Sequence, residues 1–388
     1  MGLTDTNDRS IFVSIACIGK DTELKRTIES CFSNAFNPER VHIGVNLVYS
    51  PIISNDPEYI FDFIDMLNNY KNVTYVISPV KYPPSVTRDR NAAADLYENQ
   101  DYILQTDSHC YFMPAWDQEL IEAFELAVVH VNNERTVLTA TLPKYTVEEF
   151  GLNDLVVPER TPFGFGFWEN DFLEIGKYEN RRVPSWAHSF PEFISPKLHK
   201  TLIATKFAPA PKITGAFMFG NKNLAKHIKA PDWIIFWEEE IVLSIELIDN
   251  GFTLVFPYIF ASLYHFYEVD VTNTGRGERA SIGDIIVASS VDNESIAVSR
   301  ENRKKLAAAA QWIADVDDEH IEKLAHEWRA SVNRSLNEYI TKPSHHDKVR
   351  AFEKYSGVSF KNAVSKTEFP PYYCNIGKHP AKEEQNVG

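Results

Sequence analysis

The chain is poor in cysteine: four in 388 residues (Cys17, Cys31, Cys110 and Cys374), with no CxxC pair among them. That argues against a disulfide framework or a clustered thiolate metal site, and it predicts reduced, buried thiols. No apolar run approaches the ~18–20 residues that span a bilayer. The opening residues, MGLTDTNDRS, lack the basic and apolar regions of a secretory signal. These absences together predict a soluble, cytoplasmic protein with no membrane partner. Positive charge is also scarce. Lys and Arg number 39 against 54 Asp and Glu, a formal net charge of −15, which argues against broad, non-specific attachment to nucleic acid or anionic lipid. Internal repeats and low-complexity tracts are absent too.

What the chain does have is core-forming material, with 44% hydrophobic and 13% aromatic residues. IFVSIACI (11–18) is a near-continuous apolar run, as in a strand buried on both faces. A helix follows through Leu24, Ile28 and Cys31, with Asp21 near its start, where a carboxylate caps free N–H groups. Strands are expected at 41–49, 73–78 and YILQTD, and helices at 59–69 and 88–98. After Pro114 a helix carries Trp116, Leu120, Ile121, Phe124 and Val128 on one stripe. Alternating strands and helices predict a mostly parallel, doubly wound α/β sheet. From about 140 to 235 the pattern turns to loops rich in proline and aromatics. A helix is expected at 239–249, closed by Asn250-Gly251. A strand-like run FTLVFPYIFASLYHF comes next, then helical sequence over 297–340 and a frayed end.

The chemistry centres on the end of YILQTD, where Asp107-Ser108-His109 follows a buried strand. In an extended chain residues i and i+2 point to one side, so this carboxylate and imidazole can grip one cation. Ligand crevices of open α/β sheets lie at the carboxyl ends of strands, where the triplet falls. Mixed oxygen and nitrogen ligands suit Mn²⁺ or a similar divalent ion such as Mg²⁺. A D-x-H triplet by itself arises by composition about once in a chain of this length.

The longer string TRDRNAAADLYENQDYILQTDSHCYFMPAWDQELI resembles the metal-binding core of GT-A glycosyltransferases, in which a DxD or DxH motif ends a strand. It is most similar to the cytoplasmic hydroxyproline N-acetylglucosaminyltransferase-like family, and more distantly to polypeptide N-acetylgalactosaminyltransferases. Two later blocks share the resemblance. ITGAFMFGNKNLAKHI with WEEEIVLSIELIDNGF is similar to the acceptor-side block of those enzymes, although Glu238 stands where they carry a glycine. FASLYHFYE is similar to the place where they supply a later histidine to the metal, here His265. The resemblance covers roughly residues 10–270, with a weaker echo at FEKYSGVSF.

The resemblance implies a GT-A-type, Rossmann-like domain over 1–290, with a nucleotide-sugar half at about 10–140 and an acceptor-side half at 141–290. A helical extension at 291–366 and a tail at 367–388 would follow. It also implies a metal-dependent, retaining transfer from a nucleotide-diphosphate sugar, UDP-linked, to a hydroxyl of a protein or glycan. Asp107, His109 and His265 would hold the metal. Glu239 takes the position of the block's usual glutamate, which orients acceptor or sugar, and Glu240 falls where inverting relatives carry a catalytic base.

Arg88 and Arg90 precede the metal strand, and guanidinium groups can pair with phosphate or sugar hydroxyls. The family pattern favours Arg90 as the donor contact. Arg276 and Arg279, in the loop TNTGRGERAS, could close over a diphosphate. Between Phe193 and Pro231 lie seven lysines (197, 200, 206, 212, 222, 226 and 229), two histidines and no acid. That stretch is either a solvated surface or the border of a channel for an anionic acceptor, an acidic protein or hydroxylated DNA. The competing functions are a nucleotidyltransferase, for which ACIGKDTEL is a poor phosphate loop, and a catalytically inactive carbohydrate-binding protein on the same fold.

Overall fold

A computed structural model describes residues 9–18, 21, 23–49, 59–81, 84–145, 205–210, 212–236, 238–259, 261–266, 318–356 and 360. The four strands read most easily from the sequence form the parallel half of its main sheet. β1 (Ile11–Ile18) lies between β2 (Val41–Tyr49) and β4 (Tyr102–Asp107), and β3 (Val73–Pro79) flanks β2. In register, Ala16 of β1 stands beside Asp107 of β4, so the residues that follow these two strands emerge side by side.

Between them run α1 (Glu23–Ser33), α2 (Tyr59–Leu67) and α3 (Val86–Ala94). α3 begins two residues earlier than the alanine pattern suggests, because Ser85 is extended and its hydroxyl accepts the Arg88 N–H at 3.1 Å. Beyond β4 come a short β5 (Cys110–Phe112) and α4 (Trp116–Val131). Trp116 is fully buried, and its indole N–H donates to the Cys31 carbonyl at 2.9 Å, tying α4 to α1. Cys17, Cys31 and Cys110 are free and buried, and burial pushes each thiol up, so all three stay neutral. Cys374 lies outside the described residues.

The sheet continues through β6 (Thr136–Thr139), β8 (Phe207–Pro209), β9 (Phe217–Asn221) and β10 (Thr253–Pro257), in the order β3-β2-β1-β4-β9-β6-β10-β8. β9 is antiparallel to β4 and β6, and β8 to β10, while the remaining strands run in one direction. This is the expected architecture, a mostly parallel sheet flanked by helices. β8 and β9 both sit inside the stretch whose residues read as loop, β9 within ITGAFMFGNKNLAKHI, where the resemblance implies a strand bounded by glycines.

α5 (Glu238–Asp249) precedes β10 and ends as expected, with Gly251 left-handed at φ 77°. FTLVFPYIFASLYHF is two strands rather than one. Pro257, which has no N–H for a ladder, closes β10. β11 (Leu263–Phe266) then joins a second sheet, lying between β5 and β7 (Lys144–Tyr145). The described C-terminal helices, α6 (Asp318–Thr341) and α7 (His346–Ser356), pack on α5. Tyr339 and Lys348 both reach the Glu246 carboxylate, and the Tyr355 hydroxyl donates to the Leu254 carbonyl at 3.0 Å. No described helix is long and apolar enough to cross a membrane.

Candidate active site

Three elements converge on the end of β4. Asp107 is its last residue, and His109 occupies the bend before β5. α1 shapes that bend. The Thr27 hydroxyl lies 2.7 and 2.9 Å from the Ser108 and Cys110 carbonyls, and it accepts the Cys110 N–H at 2.9 Å. His265 arrives through the small sheet. Antiparallel pairing sets it opposite Cys110, and the Phe266 N–H donates to the His109 carbonyl at 2.9 Å. A residue 158 positions away in sequence is thereby carried to Asp107 by one register.

His265 Nε2 lies 3.0 Å from Asp107 Oδ2, and His109 Nε2 lies 3.9 Å from the same oxygen. The two imidazoles meet edge to face, with centroids 4.6 Å apart. Ligand atoms of Asp107, His109 and His265 all fall within 4.8 Å of one another. Ligands each about 2.1 Å from a shared cation lie roughly 3–4 Å apart, so this carboxylate and two imidazoles fit a divalent ion.

The other oxygen of Asp107 is held from α3. Arg90 donates from Nη2 to Asp107 Oδ1 at 2.6 Å and from Nη1 to Glu239 Oε1 at 2.7 Å. Burial would raise the Asp107 carboxyl, but Arg90, with His265 and His109, outweighs it and holds the group well below the usual carboxylate range. Burial acts against the Arg90 charge, yet Glu239 and Asp107 more than compensate and raise it above its ordinary value. Gly215 makes room for this fork: a Cβ there would lie 2.1 Å from Arg90 Nη1.

Glu239 is 2% exposed, and its second oxygen, Oε2, has no hydrogen-bond partner among the described residues. A buried acceptor left in this way is ready for a ligand's hydroxyl or N–H group. Glu240 differs. Its Oε1 accepts the Gly215 N–H at 2.7 Å and its Oε2 accepts from Lys212, so both oxygens hold the loop ahead of β9. Glu238 turns back on its own helix start. It accepts the Ile235 and Phe236 N–H groups at 2.8 and 3.1 Å, and the Ser335 hydroxyl of α6 at 2.7 Å.

Arg88 is not brought to this centre. Two residues from Arg90 on a helix, it faces another way and donates to the Lys81 carbonyl at 3.0 Å. Arg276 and Arg279 lie outside the described residues, as do Lys197 and Lys200. Of the remaining basic stretch, Lys212 pairs with Glu240 and Lys229 with Asp95, while Lys206, Lys222 and Lys226 are exposed. The sequence reading did not assign Asp21 to the site. Its carboxylate contacts both Ser108 and His109, at 2.6 and 2.8 Å. The available signal was position, since Asp21 follows the strand that runs beside β4.

A family model described as Glycosyltransferase (GlcNAc) matches residues 67–360, well over half of the chain. No curated protein matches. Among solved structures, GalNAc-T7 with UDP, GalNAc and Mn²⁺ aligns at 12% identity and a TM-score of 0.46, over 91% of this chain and 56% of that one. The chain thus spans little more than half the length of that structure. S. aureus TarS 1-349 in complex with UDP-GlcNAc aligns at 12% identity and a TM-score of 0.38, over 90% of this chain and 89% of that one.

Proposed function

The chain belongs to the Glycosyltransferase (GlcNAc) family, and we propose that it moves N-acetylglucosamine from a UDP-linked donor to a hydroxyl acceptor, with retention and with a divalent cation, Mn²⁺ or Mg²⁺. The observation that carries this reading is the cluster of Asp107, His109 and His265 at the carboxyl end of β4, fixed through Arg90 to Glu239. The family description names the sugar.

Glycosyl transfer builds positive charge at the anomeric carbon and negative charge on the departing diphosphate. Asp107, His109 and His265 would hold the cation, which when bound would stabilise that diphosphate without a proton transfer. The chain's own residues do the rest. Arg90 keeps Asp107 ionised and fixes one oxygen, so that the other faces the two imidazoles. Glu239 Oε2 accepts a hydrogen bond from a sugar or acceptor hydroxyl, while Arg90 holds Oε1. Such preorganised groups do not have to reorient as charge develops. Glu240, committed to Lys212 and Gly215, acts as a support for the loop. The acceptor we assign is a protein or glycan hydroxyl.

A panel of UDP-, GDP- and TDP-sugars scored by Mn²⁺-dependent hydrolysis tests the reading. Turnover of UDP-N-acetylglucosamine above the other donors is expected. No metal-dependent hydrolysis of any donor would leave an inactive binding protein as the better account.

A further inference from the structure

We infer that Asp21 is a positioning residue that locks His109 in a single tautomer, with Nδ1–H turned to Asp21 and the lone pair of Nε2 turned to Asp107. The inference rests on the reading of Asp107, His109 and His265 as a cation site.

The geometry leaves little choice of proton position. Asp21 Oδ2 lies 2.8 Å from His109 Nδ1 and accepts the Ser108 hydroxyl at 2.6 Å. An ionised carboxylate has no proton to give, so Nδ1 must be the donor. Nε2 is the atom 3.9 Å from Asp107 Oδ2, and a cation held there would take its lone pair, which leaves Nδ1 as the nitrogen that carries the proton.

Asp21 is anchored in its turn. Its Oδ1 accepts the N–H of Glu23, the first residue of α1, at 3.1 Å, and its carbonyl accepts the Leu24 N–H at 3.1 Å. The positive end of a helix favours an ionised carboxylate there. Thr27, one turn further on, binds the 108–110 bend, so α1 carries both the carboxylate and the clamp on the loop that bears the imidazole. Asp21 is 2% exposed, and its contacts run to His109 and Ser108 rather than to the face of the ring turned to Asp107. A carboxylate behind a ligating imidazole orients the ring and raises its basicity, and losing such a partner typically weakens metal binding roughly 10–100-fold.

The test uses the full chain with Asp21→Asn and Asp21→Ser, both of which keep an acceptor for the start of α1. In metal-free protein labelled with ¹⁵N-histidine, His109 is assigned by comparison with His109→Gln, and its tautomer is read from long-range ring couplings. Mn²⁺ affinity is then measured by paramagnetic titration. The expected result is Nδ1–H in the wild type, loss of that pure state in both variants, and Mn²⁺ binding at least tenfold weaker with the thermal transition retained. Wild-type Mn²⁺ binding with an unchanged tautomer, or with affinity within twofold in the variants, overturns the role of Asp21. A wild type that does not bind Mn²⁺ overturns the cation site itself and the inference with it, and that result is distinct from the first. If one variant fails to fold, the other decides.

Discussion

Arg90 and Glu239 are 149 residues apart in sequence, and their side chains meet at 2.7 Å. The pair joins α3, which precedes β4, to the start of α5. The second guanidinium nitrogen holds Asp107, so one side chain ties both carboxylates together.

Breaking the fork should be costly, because Glu239 would be left as a buried charge without its partner. Arg90→Met is expected to lose about 3–5 kcal/mol of stability, the usual penalty for removing one member of a buried pair. Arg90→Lys should recover part of that stability but little turnover, because an ammonium cannot span two carboxylates bidentately. Denaturant unfolding and turnover, measured side by side, separate the two effects. Equal activity in wild type and Arg90→Lys would contradict the role given to the fork.

Gly215→Ala is a milder probe of the same contact. The added methyl would sit 2.1 Å from Arg90 Nη1, the far end of a long side chain that can shift only by loosening its hold on Glu239. Stability should fall by roughly 1–2 kcal/mol, in the range of ordinary destabilising substitutions. The loss of turnover should exceed tenfold, since a misplacement of about 1 Å in a positioning group can cost on the order of a hundredfold. Stability and activity falling in proportion would mean that Gly215 serves packing alone.

Glu238 tests how the start of α5 is held. Glu238→Gly removes acceptors for Ile235, Phe236 and Ser335. A loss of about 2–4 kcal/mol is expected, from hydrogen bonds worth about 1 kcal/mol each and from the added backbone freedom. Ser335→Ala should cost only about 1 kcal/mol. Thermal melts of the two variants check the ranking.

Asp89 supplies a pH dependence. Burial pushes its carboxyl up to about 7, with Arg88 pulling down, Glu239 pushing up and Arg90 pulling down. The folded form therefore holds this proton more tightly than the unfolded chain. Its contribution to stability is complete below the unfolded value near 4 and is lost as pH rises through about 7. Asp89→Asn should remove that slope, raising stability by roughly 1.6 kcal/mol near pH 5 and by up to roughly 4 kcal/mol near pH 8. Unfolding free energy measured across pH 5–8 is the check, and parallel curves for variant and wild type would count against it.

Local patterns made much of this molecule legible. The apolar run at 11–18 needed no partner to be read as a buried strand, and the stripe from Trp116 to Val128 announced its helix. Asp107 and His109 stood out because the triplet follows such a strand. What stayed hidden depends on pairing between distant segments. β9 (Phe217–Asn221) is short, and it becomes a strand by lying antiparallel between β4 and β6. His265 was legible through the resemblance of FASLYHFYE alone; the register with Cys110 that carries it to the cluster is not written in the local pattern. Arg88 and Arg90 were set apart in the sequence only by resemblance, and the turn of α3 separates them physically. Glu239 and Glu240 looked like neighbouring candidates, yet Arg90 takes one and Lys212 the other.

The central claim is that Asp107, His109 and His265 hold a divalent cation on which sugar transfer depends. The most direct measurement is the rate of UDP-N-acetylglucosamine hydrolysis against free Mn²⁺ concentration, in wild type and in Asp107→Ala. The account predicts saturable activation in the wild type, abolition by chelator, and a rate at least about a thousandfold lower in the variant at every Mn²⁺ concentration. Wild-type hydrolysis that persists undiminished in chelator, or an Asp107→Ala variant that keeps near-normal turnover, would contradict it.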